Sequence, residues 1–448
     1  MGAPLRLLPE PALVLHPFRN DQIEHIGRSV GTKAIWHETL GKADDAVTLL
    51  LRQSLGSAHK NWANTKAMRY NLARRVTGPW RGRGVALASR RIGQLFASRS
   101  GIRSLEHIYH YWTRRGKEYF YYLELLKRHR PRMLFCTTQG APEVLAAVLA
   151  AKSLEIPTVA FIVSWDNLTS KSRIAAPFDH YLVWGDQMRN DLLKFYPEVR
   201  PSQISTAGSP QFDWYADRGS LQSRQDFCRQ LGLDPSRPLV CYSGGDLDTC
   251  PEDPQHVRIL MELIRAGRVE GSPQVILRPS PADDGSRYKE VLASYPELAY
   301  SPPRWQKLTF RRGTRSVPQI EDMHLLANLT YHSDVNVNLA STMTLDFSIN
   351  DTTVVNIGFD VRATPSGERS LCDHYYAWDH YRPVIALGAA RLARSPEELA
   401  QSISNYLRDP SLDREGRRRL VQMQLGIPVG QSSSRLAERL KDLAGLTS

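Results

Sequence analysis

A strand–turn–helix–strand pattern at residues 334–360 limits the possible folds of this chain more than any other segment. Residues 334–339 place the β-branched Val335 and Val337 in a run with strand character, and residues 354–357 form a second such run. Between them, residues 340–342 (Ala-Ser-Thr) supply hydroxyl groups and backbone N–H groups where a helix should begin. The pattern predicts one βαβ unit of a parallel sheet.

The start of that helix is also a candidate anion site. The unpaired N–H groups of a first helical turn and the helix dipole both favour negative charge. Ser341 and Thr342 lie in this turn, and Asp346 follows about one turn later, where a carboxylate can accept hydrogen bonds from ribose or sugar hydroxyls. The alternative is an ordinary N-cap with no ligand, which the segment alone does not exclude.

The same alternation of strands and helices begins twice along the chain. In the first half, strands are predicted at 12–16, 133–137, 158–163, 181–184 and 204–207, and helices at 20–29, through most of 60–130, at 141–154 and at 187–195. In the second half, strands are predicted at 239–242 and 274–277 before the 334–360 unit, with helices at 254–266 and from 395 onward. Two such series predict two parallel sheets with helices packed on them.

The fold class predicted is therefore α/β, with two Rossmann-like doubly wound domains facing each other across a cleft. Residues 216–237 are polar and charged, so we place the boundary there: an N-terminal domain over 1–220, a C-terminal domain over 221–425 and a terminal helix over 426–448. Ligands of such sheets bind at the carboxyl ends of the strands. The turns at 138–142, 164–167, 208–210, 243–246, 278–281 and 340–342 are all predicted to lie there.

One segment carries the whole positive charge excess. The chain has a net charge of +12, and residues 66–132 hold 17 basic residues against three acidic ones. Aromatic residues such as Trp80, Tyr111, Trp112 and Phe120 are interleaved with these cations. Basic and aromatic side chains on helices suit an anionic membrane surface. A nucleic acid is disfavoured because no helix-turn-helix, zinc finger or RNA-binding strand motif is present. A solvated basic hairpin without a partner is the remaining alternative.

Several other classes of protein are disfavoured by missing motifs. The five cysteines form no CxxC pair, so neither a zinc site nor a disulfide framework is expected. The phosphate-binding GxxxxGK[ST] and the dinucleotide-binding GxGxxG patterns are absent. Asp246 and Asp248 form a DxD, which we interpret as a loop and not as a metal site. No signal peptide or membrane-spanning run is recognised, so a cytoplasmic protein is expected, with no metal and no cofactor.

Asp166 is the preferred candidate for a general base. It directly follows a predicted buried strand, and the neighbouring Trp165 can stack on a sugar ring. A carboxyl group has an intrinsic pKa of about 4, so a useful base at this position requires burial to raise it. The alternative is that Asp166 and Asn167 only stabilise the turn. His110, His324 and His374 are weaker candidates because no motif surrounds them.

Six short motifs occur in a characteristic order, namely 164–169 (SWDNLT), 183–185 (VWG), 208–213 (GSPQFD), 277–279 (LRP), 341–346 (STMTLD) and 380–383 (HYRP). Together they resemble the GT-B-fold glycosyltransferases of bacterial surface-polysaccharide synthesis and the related CDP-glycerol glycerophosphotransferase-like proteins. The resemblance covers roughly residues 130–425. It implies transfer from a nucleotide-activated donor, bound mostly by the C-terminal domain, to an acceptor held by the N-terminal domain. We interpret the chain as a glycosyltransferase that moves a sugar from a nucleotide-sugar donor to a polysaccharide or lipid-linked acceptor. Residues 66–132 would hold it at the inner face of the cell membrane.

The resemblance also assigns roles to residues. Ser341 and Thr342 would contact the donor diphosphate, and Asp346 the sugar or ribose. Further donor contacts would come from facing turns, at Gly208, Ser209, Ser243, Gly244 and Arg278. Gln139, Trp165 and Asn167 would line the acceptor side. Arg382 is either a bidentate clamp on phosphate or an exposed loop arginine.

Two departures from the family pattern keep alternatives open. Ser280 stands where the family usually has a histidine after Arg-Pro, and no glycine follows the first predicted strand at 12–16. Glycerol phosphate transfer from CDP-glycerol is the alternative reaction. A non-catalytic scaffold that retains the GT-B fold is the alternative outside the enzymes.

Overall fold

The computed structural model describes residues 6–9, 12–16, 34–38, 45–74, 76, 80–310, 313–361, 371–426 and 428–446. The chain divides into two compact units. The first unit comprises residues 1–210, 309–313 and 424–448, and the second comprises 211–308 and 314–423. The units thus separate at 210/211, compared with the boundary at 220/221 predicted from sequence, and residues 424–448 belong to the first unit.

The first unit begins with two short parallel strands and continues with a group of helices. Strands β1 (Ala12–His16) and β2 (Ala34–Glu38) pair with each other as a separate sheet. The helices that follow are α1 (Ala46–Ala63), α2 (Lys66–Ala73), α3 (Trp80–Leu95), α4 (Arg99–Thr113) and α5 (Lys117–His129). The predicted helical character of the basic segment is therefore confirmed. The helix predicted at 20–29 lies outside the described residues.

Local sequence explains where these helices begin and which face they bury. The Asp45 carboxylate caps α1 by accepting from the Thr48 N–H at 2.8 Å, and the Ser98 hydroxyl caps α4 in the same way. On α4, Ile102, Leu105 and Tyr109 recur at helical spacing and are buried. The remaining faces of α4 carry most of its charged side chains.

A four-stranded parallel sheet forms the rest of the first unit. Its strands are β3 (Leu134–Cys136), β4 (Thr158–Phe161), β5 (His180–Val183) and β6 (Ile204–Thr206), in that spatial order. They are connected by α6 (Val144–Ser153), α7 (Asn167–Ser170) and α8 (Asp186–Phe195). Each strand follows its predecessor in the sheet, as expected for successive βαβ connections.

The second unit is built on a six-stranded sheet. Its strands are β7 (Leu239–Ser243), β8 (Gln274–Arg278), β9 (Ala299–Tyr300), β12 (Val335–Asn338), β13 (Thr353–Ile357) and β14 (Arg391–Ala393). Two further strands, β10 (Trp305–Phe310) and β11 (Gly313–Pro318), form a separate two-stranded sheet. The spatial order of the large sheet is β14-β13-β12-β7-β8-β9, and its pairings are parallel. The direction of winding therefore reverses between β7 and β12.

Helices connect these strands and continue beyond them. They are α9 (Arg224–Leu231), α10 (Asp253–Arg265), α11 (Lys289–Ser294), α12 (Ile320–His332), α13 (Met343–Ile349), α14 (Leu371–Tyr376), α15 (Arg382–Ala386), α16 (Pro396–Arg408), α17 (Arg414–Leu425) and α18 (Ser432–Leu443).

The two faces of the large sheet differ in polarity. On one face, Val337 is in register with Val355 and Tyr242, and these side chains form the core beneath α10 and α16. On the opposite face, Asn336 and Asn338 alternate with the valines of β12 and are fully buried. Strand β12 is thus buried on both faces, one of them apolar and the other polar.

The predicted fold class is confirmed as α/β with two Rossmann-like parallel sheets and a basic helical region in the first half. Among the described helices, none is both long enough and apolar enough to cross a bilayer. The elements not predicted from the sequence include strands β2, β9 and β14, the β10–β11 pair, and helices α9, α11, α12, α14 and α15.

Candidate functional site

A row of four polar side chains crosses the carboxyl edge of the large sheet. Asn356, Asn338, Ser243 and Arg278 are the partners in register on β13, β12, β7 and β8. We call these four residues the polar row. It spans the position between β7 and β12 where the winding reverses. Ligands of open α/β sheets bind at this kind of position, which makes the polar row the centre of the candidate site.

Arg278 is the charged member of the polar row and is almost completely buried. Its Nη2 donates to both carboxylate oxygens of Asp322, at 3.0 and 2.9 Å. Asp322 lies in the first turn of α12 and also accepts from the Arg304 N–H and the Trp305 indole N–H, both at 2.8 Å. The position of the guanidinium is therefore fixed by a carboxylate that is itself fully hydrogen-bonded.

The second terminal nitrogen of Arg278, Nη1, is also buried, but it donates to no acceptor in the described part of the chain. A buried donor without a partner costs about 1–3 kcal/mol, so native structures rarely keep one without a reason. An arginine can hold two oxygens of a phosphate or carboxylate through its terminal nitrogens. Here one nitrogen is used by Asp322 and the other remains available for an anion.

Asp346 and Tyr215 form a buried pair within the same unit. The Tyr215 hydroxyl donates to Asp346 Oδ1 at 2.5 Å. Burial raises the pKa of Asp346 to about 6, although the hydrogen bond from Tyr215 and the charge of Arg278 act against the increase. Burial and the nearby Asp346 charge likewise raise the pKa of Tyr215 well above its ordinary value. Asp346 thus shares its environment with Arg278, but one of its oxygens is already occupied.

Asn338 connects the polar row to the turn at residues 340–342. Its Nδ2 donates to Asn336 Oδ1 at 2.7 Å, and its Oδ1 accepts from the Ser341 N–H at 3.0 Å and from Asn356 Nδ2 at 3.1 Å. Asn336 continues the chain of hydrogen bonds to the Ser243 hydroxyl at 2.8 Å. The network fixes the turn against the ends of three strands.

Other contacts complete this network and restrict the turn. The Thr344 hydroxyl lies 2.7 Å from the Tyr381 hydroxyl, which donates to Asn356 Oδ1 at 3.0 Å. The backbone N–H of Ala340 donates to the Tyr376 hydroxyl at 3.2 Å, and Ala340 itself has a φ of 43°. A positive φ is uncommon for alanine and persists where surrounding contacts enforce it.

The start of α13 consequently offers fewer backbone N–H groups to an anion than the sequence predicts. The helix has only seven residues, Met343–Ile349, and the N–H groups of Ala340, Ser341 and Met343 already have acceptors within the protein. Ser341 and Thr342 are half-buried beside the polar row. Their predicted contact with a diphosphate stays a prediction, in which hydroxyl groups would contribute more than a helix dipole.

The turn after β7 is tightly packed. Gly244 lies against Tyr288, so a Cβ atom at this position would come within 2.4 Å of the tyrosine hydroxyl. The buried Asp253 accepts from the Tyr242 hydroxyl and from the Gly245 N–H, each at 2.7 Å. Its burial raises its pKa. This network was not predicted, and it explains why glycines follow the strand.

The DxD sequence lies in the same turn. Asp246 Oδ1 accepts from the backbone N–H groups of Asp248 and Thr249, at 3.0 and 2.9 Å, which is a local turn contact. Within the described residues, no cluster of three or more histidine, cysteine, aspartate or glutamate side chains is arranged to hold a metal ion. The expectation that no metal or cofactor is needed stays untested.

The candidate base lies in the first unit, after β4. Asp166 accepts from the Ser164 hydroxyl at 2.6 Å and from the Ser170 hydroxyl at 2.7 Å, and Lys171 Nζ is 3.6 Å away. These contacts fix the orientation of a carboxylate that remains partly exposed. Trp165 beside it is buried, and Asn167 begins α7.

The remaining predicted residues are distributed over both units. Gln139 is buried in the first unit and accepts from the Val163 N–H at 3.2 Å, which ties its loop to the end of β4. Gly208, with a φ of 73°, and the buried Ser209 follow β6. Arg382 is exposed at the start of α15. The structure therefore brings Ser243, Arg278 and Ser341 together through the polar row, and it places Asp166 with Gln139 near the end of β4.

Three important residues of the candidate site were missed by the sequence interpretation: Asp322, Tyr215 and Asn338. Asn338 left a signal, because asparagine alternates with valine along a strand predicted to be buried. Tyr215 follows the GSPQFD motif by two residues. Asp322 gave no local signal, since its partner Arg278 is 44 positions away.

Similar solved structures are nucleotide-sugar enzymes and transferases of distant sequence. They include the UDP-GlcNAc 2-epimerase of Neisseria meningitidis bound to UDP-GlcNAc, at 12% identity over 72% of this chain and 80% of that chain, with a TM-score of 0.47. A glycosyltransferase from Rickettsia africae is 11% identical over 73% of this chain and 80% of that chain, with a TM-score of 0.45. The wall teichoic acid polymerase TagF is 13% identical over 62% of this chain and 61% of that chain, with a TM-score of 0.40.

With identities and TM-scores this low, the likeness assigns no function to the chain. No family model matches the sequence, and no curated protein matches it either.

Proposed function

We propose that the protein is a glycosyltransferase that binds the diphosphate of a nucleotide-sugar donor at the polar row. The observation that carries this proposal is the buried, unpartnered Nη1 of Arg278. Transfer of a sugar leaves negative charge on the departing diphosphate, and a fixed cation in a water-poor site stabilises that charge. Asp322 holds the guanidinium in place before any ligand arrives, so little reorganisation is needed.

In this proposal, other residues of the second unit contact the rest of the donor. Ser243, Ser341 and Thr342 offer hydroxyl groups to phosphate oxygens. Asp346, whose pKa is raised to about 6, accepts from ribose or sugar hydroxyls in its ionised form. Gly244 and Arg382 of the same unit stay in the proposed donor set. Gly208 and Ser209, which belong to the first unit, stay donor contacts predicted from the sequence.

The proposed acceptor side belongs to the first unit. The acceptor oxygen must lose a proton during transfer, and Asp166 is the carboxylate we assign to accept it. The hydroxyls of Ser164 and Ser170 orient that carboxylate. Trp165, Asn167 and Gln139 surround the same loop. The acceptor would be a growing polysaccharide or its lipid-linked precursor at the inner face of the cell membrane.

The first test is a thermal-shift panel with UDP, GDP, dTDP, ADP, CDP and CMP, followed by product analysis with the preferred donor. A nucleotide at 100 times its Kd stabilises the protein by about 2.7 kcal/mol, which shifts Tm by several degrees. We expect a nucleoside diphosphate to be preferred and released. Release of CMP would replace this function with glycerophosphate transfer. The absence of any shift and any turnover would favour a non-catalytic scaffold.

Arg278→Lys tests the proposed donor contact while it keeps an ion pair with Asp322. Lysine keeps a positive charge beside Asp322 but lacks the second terminal nitrogen. We expect the Tm of the free protein to change little and the nucleotide affinity to fall about tenfold, as for loss of one charge-assisted hydrogen bond. The matched control is Arg268→Lys, an exposed arginine of the same unit. Equal nucleotide affinity in both variants would contradict the assignment.

Asp166→Asn tests the proposed base. The amide oxygen can accept from one serine hydroxyl and the amide nitrogen can donate to the other, so the side chain stays in place. It cannot take a proton, so turnover should be lost while the nucleotide-induced Tm shift remains. Full activity in this variant would remove Asp166 from the mechanism.

A further inference from the structure

A cavity lies within the first unit, and its wall contains neither Asp166 nor any residue of the polar row. It has a volume of about 190 Å³ and is formed by the end of α1, one face of α4 and the loops after α7 and α8. None of the residues predicted as site residues from the sequence contributes to its wall. Typical pockets for drug-sized ligands measure roughly 300–1,000 Å³, so this cavity matches a smaller group such as one sugar unit.

One charge in the cavity wall is already balanced. The buried Arg173 donates through Nε to Glu106 at 2.6 Å and through Nη2 to Glu198. Its Nη1 lies 3.4 Å from Nδ1 of His59. Burial alone would lower the pKa of Arg173, but the two carboxylates outweigh that effect and raise it. Arg173 is therefore held by the two glutamates, and its charge is not available to a ligand.

Two other arginines in the wall lack such partners. Arg99 and Arg103 are exposed and lie four residues apart on α4, where their side chains are neighbours. Neither guanidinium is paired with a carboxylate in the described part of the chain. Like charges at this spacing repel each other, and a bound anion between them would remove the repulsion. Two guanidinium groups also match the oxygens of a phosphate or carboxylate.

The rest of the wall is apolar and includes an aromatic ring. Trp62, Ile102 and Pro197 line the cavity beside the arginines, and the Arg99 guanidinium lies 5.8 Å from the centre of the Trp62 ring. An apolar wall with an indole ring suits the C–H face of a pyranose. The cavity thus combines a surface for a sugar ring with two cations for an attached anionic group.

We propose that this cavity binds one anionic sugar unit, carrying either a phosphate or a carboxylate. The statement that this sugar is a unit of the acceptor polymer rests on the proposed function, whereas the binding of an anionic sugar does not. A sugar phosphate and a sugar carboxylate share the same chemistry, namely a sugar ring with a negatively charged substituent. The cavity would then set the preference for acceptors of that kind.

The test is calorimetric titration of the full chain with glucose 1-phosphate, glucuronate, methyl glucoside and inorganic phosphate. We expect glucose 1-phosphate, glucuronate or both to bind, and the tighter of the two identifies the source of the charge. The neutral glucoside should bind at least about tenfold more weakly, because it makes no charge-assisted hydrogen bonds. Binding of the neutral glucoside with equal affinity, or of inorganic phosphate as tightly as either sugar, would overturn the proposal.

Substitutions in the cavity wall test whether the anionic sugar binds there. Arg99→Gln with Arg103→Gln should weaken the binding of the anionic sugar by about tenfold or more. Trp62→Leu should weaken it as well. The matched control is Arg128→Gln, which removes an exposed arginine of α5 outside the cavity wall. Unchanged affinity in the double variant would overturn the proposal. The nucleotide panel is independent of these titrations, so failure of the proposed transferase function is recognised separately.

Discussion

The carboxyl group of Asp346 is buried beside Tyr215, and this makes the stability of the protein depend on pH in a defined way. Its pKa is raised from 3.8 in a model peptide to about 6 in the folded protein. The folded state therefore holds this proton more tightly than the unfolded state. The contribution of Asp346 to the free energy of unfolding is fully present below about pH 4 and is lost as the pH rises through about 6. The total loss is about 3 kcal/mol.

Asp346→Asn should remove this dependence. Urea denaturation of the natural protein and the variant, at several values between pH 4 and pH 7, measures the difference between their free energies of unfolding. We expect the variant to gain stability relative to the natural protein as the pH rises through this range, because other titrating groups are common to both. A difference that stays constant with pH would show that Asp346 is not held in a protonated form.

At the same scale, the ion pair of Arg278 shows which part of the site the sequence reveals. Arg278 could be proposed because it directly follows the strand predicted at 274–277, and ligands bind at the carboxyl ends of such strands. Asp322 could not, since a first-turn acid on a helix is ordinary in sequence. The Asp322 carboxylate reaches the Arg278 guanidinium only in the tertiary fold. Only this contact shows that Nη2 is paired and that Nη1 has no acceptor in the described part of the chain.

Strand β12 is the element that joins the core to the candidate site, through Asn338. Replacement of Asn338 by alanine would leave the Ser341 N–H and Asn336 Oδ1 without their partner. Asn356 Nδ2 would lose one of its two acceptors and keep only the Thr344 hydroxyl. We expect a loss of roughly 2–4 kcal/mol in the free energy of unfolding, since buried polar groups without partners cost about 1–3 kcal/mol each. The nucleotide-induced Tm shift should also fall, because the 340–342 turn is released.

Asn350→Ala is the matched control for this element. The Asn350 amide makes a single side-chain hydrogen bond, to the Thr330 hydroxyl at 2.8 Å, at the other end of α13. We expect this variant to lose about 1 kcal/mol and to retain its nucleotide response. Equal effects in both variants, measured by urea denaturation and thermal shift, would show that the polar row has no special role.

Elements with a clear periodicity could be predicted, and those defined by pairing could not. Strand β12 shows buried valines at alternate positions, and the helices of the basic segment bury apolar residues at helical spacing. Strand β10, by contrast, contains Gln306 and Lys307 between apolar residues and carries no clear alternation. Its strand character depends on pairing with β11, which is a contact within the tertiary fold.

At the scale of the whole molecule, the charge excess of residues 66–132 coincides with exposed aromatic side chains. Tyr111, Trp112 and Phe120, which are 59%, 40% and 55% exposed, lie at the corner between α4 and α5. Arg114 and Arg115 occupy the same corner and are exposed. We call these five residues the α4–α5 corner. Exposed aromatics beside cations are typical of surfaces that rest on an anionic bilayer, and this corner is where we propose membrane contact.

Flotation of the full chain with lipid vesicles tests this proposal. We expect binding to vesicles containing phosphatidylglycerol, little binding to neutral phosphatidylcholine vesicles, and release at high salt, because each cation near the lipid contributes about 1 kcal/mol that salt screens. The Tyr111→Ser, Phe120→Ser double variant should bind at least about tenfold more weakly, since burial of an aromatic ring contributes about 1.5–3 kcal/mol.

Leu247→Ser is the matched control, because Leu247 is a similarly exposed apolar residue of the second unit, at 64% exposure. Its vesicle binding should equal that of the natural protein. If the double variant and the control bind alike, the α4–α5 corner is not the membrane contact, and the positive charge of the segment serves solvation instead. If binding persists on neutral vesicles at high salt, apolar insertion and not charge attraction dominates. The charge pattern of the sequence alone could not separate these cases, because it does not show which aromatic rings remain exposed after folding.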